Sequence, residues 1–206
     1  MISHKHKCIF IHIPRSAGTS LENWLCGSDW WDVEKETKHL IASQAKKIYS
    51  QFWDEYFTFS FVRNPWDRVV SGLKYADYFG VYYNPNPSIP SLLELNFDGY
   101  KDRFGTEISL EHDHRFYRRG DLISDNHLPG QIYGNIIDEQ LDYIGRFETL
   151  QEDCRKIQSI LGIEEKMTIH NGKSQRNEYR EYYNQDTMKK VERMYSKDIE
   201  HYGFEF

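Results

Sequence analysis

Apolar residues fall in short continuous runs, each followed by a stretch with helical spacing. Lys7-Cys8-Ile9-Phe10-Ile11-His12-Ile13 and Tyr56-Phe57-Thr58-Phe59-Ser60-Phe61-Val62 are rich in β-branched and aromatic residues and predict strands. Residues 142–147 form a third strand candidate. Leu21, Trp24 and Leu25 follow the first run at helical spacing, and Trp66, Val69, Val70 and Leu73 follow the second. Leu150, Cys154, Ile157 and Leu161 follow the third. Residues 34–50 read as a helix carrying His39, with Leu40, Ile41, Ala45 and Ile48 apolar. Asn184 is placed to cap a last helix with Met188, Val191 and Met194 inside. Tyr202, Phe204 and Phe206 alternate as a terminal strand would. Strands alternating with helices predict an α/β fold, a central parallel sheet flanked by helices.

The chain has 206 residues, which suits a single domain over 1–206 with a sizeable core. Residues 80–130 differ from the rest. Asn84-Pro85-Asn86-Pro87-Ser88-Ile89-Pro90 is a turn cluster, and Tyr100, Phe104, Phe116 and Tyr117 follow among many charges. This stretch reads as an insertion over the sheet edge, suited to binding an acceptor.

The first strand empties into Pro14-Arg15-Ser16-Ala17-Gly18-Thr19-Ser20, where the first helix begins. The segment has the parts of a phosphate cradle: small residues, a cation, hydroxyls, and N–H groups at a helix N-terminus. Gly18 would let the backbone approach a ligand closely. The common nucleotide-triphosphate loop, G-x-x-x-x-G-K-[ST], does not match, because Gly18 precedes Thr19 directly and no Lys lies between. Taken alone, the segment leaves open both anion binding and a plain turn capped by Thr19 or Ser20.

The second strand runs into Arg63-Asn64-Pro65-Trp66-Asp67-Arg68-Val69-Val70-Ser71. Asn64 is a good N-cap and Pro65 suits the first helical turn. A guanidinium and a hydroxyl from this unit can share one phosphate. The alternative is a structural Arg paired with a nearby carboxylate. Two strand-to-helix units of this kind suggest a ligand with two separated anionic groups, bound outside the strand C-termini.

At these residues the chain resembles the sulfotransferase superfamily, specifically the carbohydrate sulfotransferases. Their motif P-K-[ST]-[AG]-G-T-[ST] is similar to residues 14–20, and [FV]-x-R-[ND]-P-x-x-R-x-x-S is similar to residues 61–71. Lys38-His39-Leu40-Ile41-Ala42 resembles K-H-x-x-A, and His127-Leu128-Pro129-Gly130-Gln131 resembles H-x-x-P-Q with one residue inserted. Residues 142–150 resemble D-x-[IV]-G-[RK]-[FL]-E-x-L, and Asn171-Gly172-Lys173-Ser174 with Arg176 resembles N-x-S-x-R. The matches run in order along nearly the whole chain.

The resemblance implies a three-layer, P-loop-like fold. It implies 3′-phosphoadenosine 5′-phosphosulfate (PAPS) as donor and the bisphosphate PAP as product, with no metal required. Pro14, Arg15, Ser16, Ala17, Gly18, Thr19 and Ser20 would hold the 5′-phosphosulfate, and Arg63 and Ser71 the 3′-phosphate. Lys173 and Arg176 would close over the donor's phosphates. The acceptor implied is a hydroxyl, of a carbohydrate above all. One departure stands out: the family's Lys is Arg15 here, which stays protonated and so stabilises charge without giving up a proton.

Composition narrows the partners. Lys plus Arg number 26 and Asp plus Glu 32, a net charge of −6, which argues against general nucleic-acid or anionic-membrane binding. Cys8, Cys26 and Cys154 show no metal-site spacing; buried free thiols are the simplest reading for Cys8 and Cys154. The polar residues 1–6 precede an apolar run too short to span a bilayer, an arrangement expected of a cytoplasmic enzyme. His112-Asp113-His114 reads as a solvated loop rather than a metal site.

Sulfuryl transfer needs a base for the acceptor's proton, and His suits that near neutrality. His39, at the K-H-x-x-A position, is the expected base. His127 is the second candidate, and a carboxylate is a third. Two rival functions are a PAP- or PAPS-binding module without turnover, raised by Arg15, and a P-loop nucleotide kinase. The kinase would need a Lys at the loop end and a Mg²⁺-binding Asp.

Overall fold

The structure, a computed structural model, describes residues 1–79, 133–169 and 177–206. Among the described residues, four strands form one sheet in the order β1 (Ile2–Ser3), β2 (Cys8–Ile11), β3 (Phe57–Val62) and β4 (Tyr143–Arg146). β2 and β3 run parallel with Phe10 opposite Phe59, and β3 and β4 run parallel with Phe61 opposite Gly145. β1 adds an antiparallel edge, Ile2 opposite Ile9, in a segment that reads only as polar in sequence. Every residue of β2 is buried, as is all of β3 after Phe57. Side chains alternate between faces along a strand, so both faces of the sheet are covered.

The helices are α1 (Gly18–Cys26), α2 (Trp30–Glu34), α3 (Ala42–Ile48), α4 (Pro65–Phe79), α5 (Leu150–Leu161), α6 (Gln185–Met194) and α7 (Ser196–Tyr202). Leu21, Leu25, Val69, Val70, Cys154, Ile157 and Val191 are buried in one core with the strands. Those side chains follow the helical spacing of the sequence. Asn64 caps α4, its Oδ1 accepting from the Trp66 N–H at 3.1 Å. Asn184 caps α6 in a reciprocal arrangement with Thr187.

Three expectations are corrected. The helix expected over residues 34–50 is broken: α2 ends at Glu34, a 3₁₀ turn covers Lys35–Thr37, and α3 starts only at Ala42. Long-range bonds hold the intervening chain off a helical path. The Lys38 ammonium turns inward to Glu22 and Asp29, and the Trp30 indole donates to Thr37 Oγ1 at 2.8 Å. The helix capped by Asn184 is not the last, since α7 follows it. Residues 204–206 form no strand. Instead Asn64 Nδ2 donates to the Glu205 carbonyl at 2.7 Å, and the Phe206 ring packs edge-on against Trp66, Tyr179 and Tyr183.

Cys8 and Cys154 are buried and free, and burial pushes both thiols up to about 12. Cys26 is half-buried and free. Among the described residues, no helix is long and apolar enough to cross a membrane.

Candidate active site

β2 and β3 end side by side because they are parallel neighbours. The loop after β2 and the start of α4 after β3 therefore meet. Arg68 is buried, its Nε–H donating to the Pro14 carbonyl at 3.2 Å while its guanidinium stacks over the Tyr133 ring. Arg63 Nη1 donates to the Arg15 carbonyl at 2.8 Å. Arg15 Nε donates to Ser71 Oγ at 3.1 Å. Two guanidiniums thus brace the loop backbone, and a third runs from the loop to α4.

The loop has an unusual backbone. Arg15 and Ala17 both adopt left-handed conformations, with φ of 69° and 66°. Non-glycine residues there carry strain, and the Ser16 N–H donates to the Ile13 carbonyl at 3.3 Å. Ala17 is the N-cap of α1 and has no side-chain acceptor to offer. Thr19 and Ser20 lie inside the first turn, so the reading in which either caps the helix is corrected. Ser16 is 1% exposed, and its Oγ has no hydrogen-bond partner among the described residues. A buried polar group costs free energy when unsatisfied, which marks this loop as built for something further.

Gly18 has a different role from the one its sequence context suggests. A Cβ at this position would lie 1.9 Å from His12 Nε2. The His12 imidazole needs this space, a packing constraint that stands beside any approach of the backbone to a ligand.

The second segment is more self-contained. Arg63 Nε donates to Asp67 Oδ2 at 2.7 Å, Nη2 pairs with the same oxygen, and the guanidinium lies 3.9 Å over the Phe147 ring. The structural pairing weighed as the alternative for this Arg is therefore present. Glu148 Oε1 accepts from the Asn64 N–H at 2.6 Å, and the Tyr133 hydroxyl donates to the Arg63 carbonyl at 2.5 Å. Asp198 accepts from the Tyr133 N–H. Residues 142–150 thus act structurally. Asp142 accepts from the Thr58 N–H, Gly145 leaves room for the Phe61 ring, and Phe147 and Glu148 support Arg63 and Asn64.

His39 sits in the break before α3 and is 3% exposed. Its ring lies 4.4 Å from that of His12, and its Nδ1 lies 3.4 Å from the His12 carbonyl. A carbonyl only accepts, so Nδ1 carries the hydrogen in this contact. His12 Nδ1 meets Glu22 Oε1 at 2.5 Å, and Glu22 Oε2 takes the Lys38 ammonium at 2.7 Å. Burial alone would raise Glu22; His12 and Lys38 outweigh it and hold the carboxyl down at about 2. Burial lowers His12, with the Lys38 charge adding to it.

The structure thus brings Pro14, Arg15, Ser16, Ala17, Gly18, Thr19, Ser20, Arg63 and Ser71 together, and sets His39 beside the residue that leads into the loop. Lys173, Arg176, His127, the His112-Asp113-His114 run and residues 80–130 lie outside the described residues. His12, Glu22 and Tyr133 escaped the sequence reading. An acidic residue one turn into α1 and a Lys directly before His39 were the signals for a buried pair. Nothing local marks Tyr133.

The chain matches the sulfotransferase family model over residues 1–205 and belongs to that family. Sulfuryl transfer is therefore its general reaction class. Neither the curated proteins nor the solved structures give a match.

Proposed function

We propose that this chain moves a sulfuryl group from PAPS to a hydroxyl of a carbohydrate or glycosylated acceptor and releases PAP. The observation that carries the reading is the loop at residues 14–20. It combines an N-cap without a side-chain acceptor, a buried Ser16 hydroxyl with no partner among the described residues, and Arg15 bonded to Ser71. These groups suit a phosphosulfate: donors converge and a cation is at hand, although the chain as a whole carries a net charge of −6.

PAPS supplies a sulfuryl group already activated by its phosphate–sulfate anhydride. Residues 14–20 would hold it, with Ser71 beside Arg63 at the 3′-phosphate, and Arg15 with the N–H groups of 18–20 would stabilise charge on the departing phosphate. Arg63 would meet the 3′-phosphate by sharing the guanidinium that Asp67 now holds. Lys173 and Arg176 join the donor site by resemblance. His39, through Nε2, would take the proton of the acceptor hydroxyl as its oxygen bonds to sulfur. The acceptor would bind over residues 80–130.

The test is transfer of label from radiolabelled PAPS to a panel of sugars and glycosides, with labelled ATP in parallel. Transfer from PAPS alone is expected. Transfer from ATP instead would favour a kinase. PAP binding with no transfer to any acceptor would favour a binding module, the reading that Arg15 in place of Lys raises.

A further inference from the structure

Glu22 has no exposed surface, yet its carboxylate serves three donors. Oε1 takes the His12 Nδ1–H at 2.5 Å; Oε2 takes Lys38 Nζ at 2.7 Å and the Trp30 N–H at 3.0 Å. Lys38 also pairs with Asp29. A hydrophobic residue commonly fills such a place at no loss of stability, so a buried ion pair points to a demand other than stability.

Two of the three donors lead to His39. Lys38 is its chain neighbour, and the His12 ring lies 4.4 Å from its ring while the His12 carbonyl faces its Nδ1. Glu22 itself stands on α1, the helix that opens at the anion loop. One carboxylate therefore joins the loop helix to His39 along two routes, the Lys38 backbone and the His12 imidazole. An ionised carboxylate only accepts, so His12 must carry its hydrogen on Nδ1. That choice fixes the ring orientation against both Gly18 and His39.

We propose that Glu22 is the positioning residue of this site, holding His12 and the Lys38–His39 segment so that His39 keeps its Nδ1–H tautomer and presents Nε2 beside the loop. The inference rests on reading His39 as the base. It predicts that the carboxylate governs the orientation of the base without itself binding the donor.

Nitrogen-resolved NMR of the imidazoles tests it, alongside kinetics. In the parent, the short His12–Glu22 bond should give a proton signal well downfield of the amides, and His39 should appear as the Nδ1–H tautomer. In Glu22→Gln that signal should vanish and His39 should become a mixture of tautomers. The value of kcat should fall about tenfold to a hundredfold, with PAP affinity held within about twofold. Should Glu22→Gln fail to fold because the buried Lys38 keeps Asp29 alone as a charged partner, Glu22→Gln with Lys38→Met removes both charges together and allows the same readings.

An unchanged His39 tautomer in a folded variant overturns the proposal. So does a parallel fall of kcat and PAP affinity, which would make Glu22 a support of the loop alone. If the parent binds PAP but turns over no acceptor, His39 loses its role as base. The nitrogen signals then decide positioning unaided, tautomer mixing supporting it and an unchanged tautomer overturning it.

Discussion

Arg15 Nε–H donates to Ser71 Oγ across 3.1 Å, linking the loop after β2 to the helix after β3. The two residues are 56 positions apart, and only the parallel pairing of β2 with β3 brings them together. The contact joins one side chain from each of the two strand-to-helix segments proposed to hold the donor.

Gly18→Ala should damage the site through packing. Its Cβ would overlap the His12 ring, and neither the α1 backbone nor a ring held by Glu22 can move freely. Overpacking of this kind costs roughly 1–3 kcal/mol, which denaturant unfolding would read. A variant as stable as the parent would show that His12 can leave its place.

Arg63→Ala should cost both stability and donor affinity. Removing the guanidinium leaves Asp67 without this partner and strips the Arg15 carbonyl and the Phe147 ring of theirs. Breaking a buried pair costs about 3 kcal/mol or more, which thermal unfolding would detect. Calorimetry should show weaker PAP binding in the same variant if the 3′-phosphate competes for this side chain.

His39→Ala should leave PAP binding nearly intact and depress turnover, because its proposed role is to take the acceptor's proton and not to hold the donor. Paired calorimetry and rate measurements separate the two effects. Full activity in this variant would remove His39 as the base.

Two buried carboxyls give stability opposite pH dependences. Glu22 is held at about 2, below its ordinary 4.5. Between these values the unfolded chain binds more protons, so stability is lost as pH falls through the window. Burial pushes Asp198 up to about 6 from 3.8, against the Tyr133 and Gly134 N–H groups and the Arg68 charge. There the folded chain binds more protons, so stability is lost as pH rises through the window. Urea unfolding across pH should show a shallower acid decline for Glu22→Gln and a weaker loss above pH 3.8 for Asp198→Asn.

Much of this arrangement was legible in the chain because local spacing controls it. β2 and β3 are dense apolar runs, and α4 and α6 begin at Asn64 and Asn184 with side-chain caps that depend on a few neighbouring residues. The break at His39 was not legible. It comes from Lys38 reaching Glu22, sixteen residues away, and that bond overrides an apolar pattern that fits a helix. The role of Gly18 was hidden for the same reason, since its constraint comes from the packing of the His12 ring. Phe204 and Phe206 alternate as in a strand, yet among the described residues the sheet ends at β4; the Phe206 ring docks onto Trp66, and the Arg146 guanidinium lies over the Phe204 ring. Motif spacing located the candidate donor residues, whereas tertiary bonds decided which of them are already engaged, Arg63 with Asp67 foremost.

The most direct measurement is a calorimetric titration of the parent and Arg15→Ala with PAP. The loop at residues 14–20 should bind the nucleotide in the parent, and loss of the Arg15 guanidinium should weaken it by about 1.5–3 kcal/mol, as expected for a charged hydrogen bond. Equal affinity in the two proteins, or no binding by a folded parent, would contradict the assignment of this loop as the donor site.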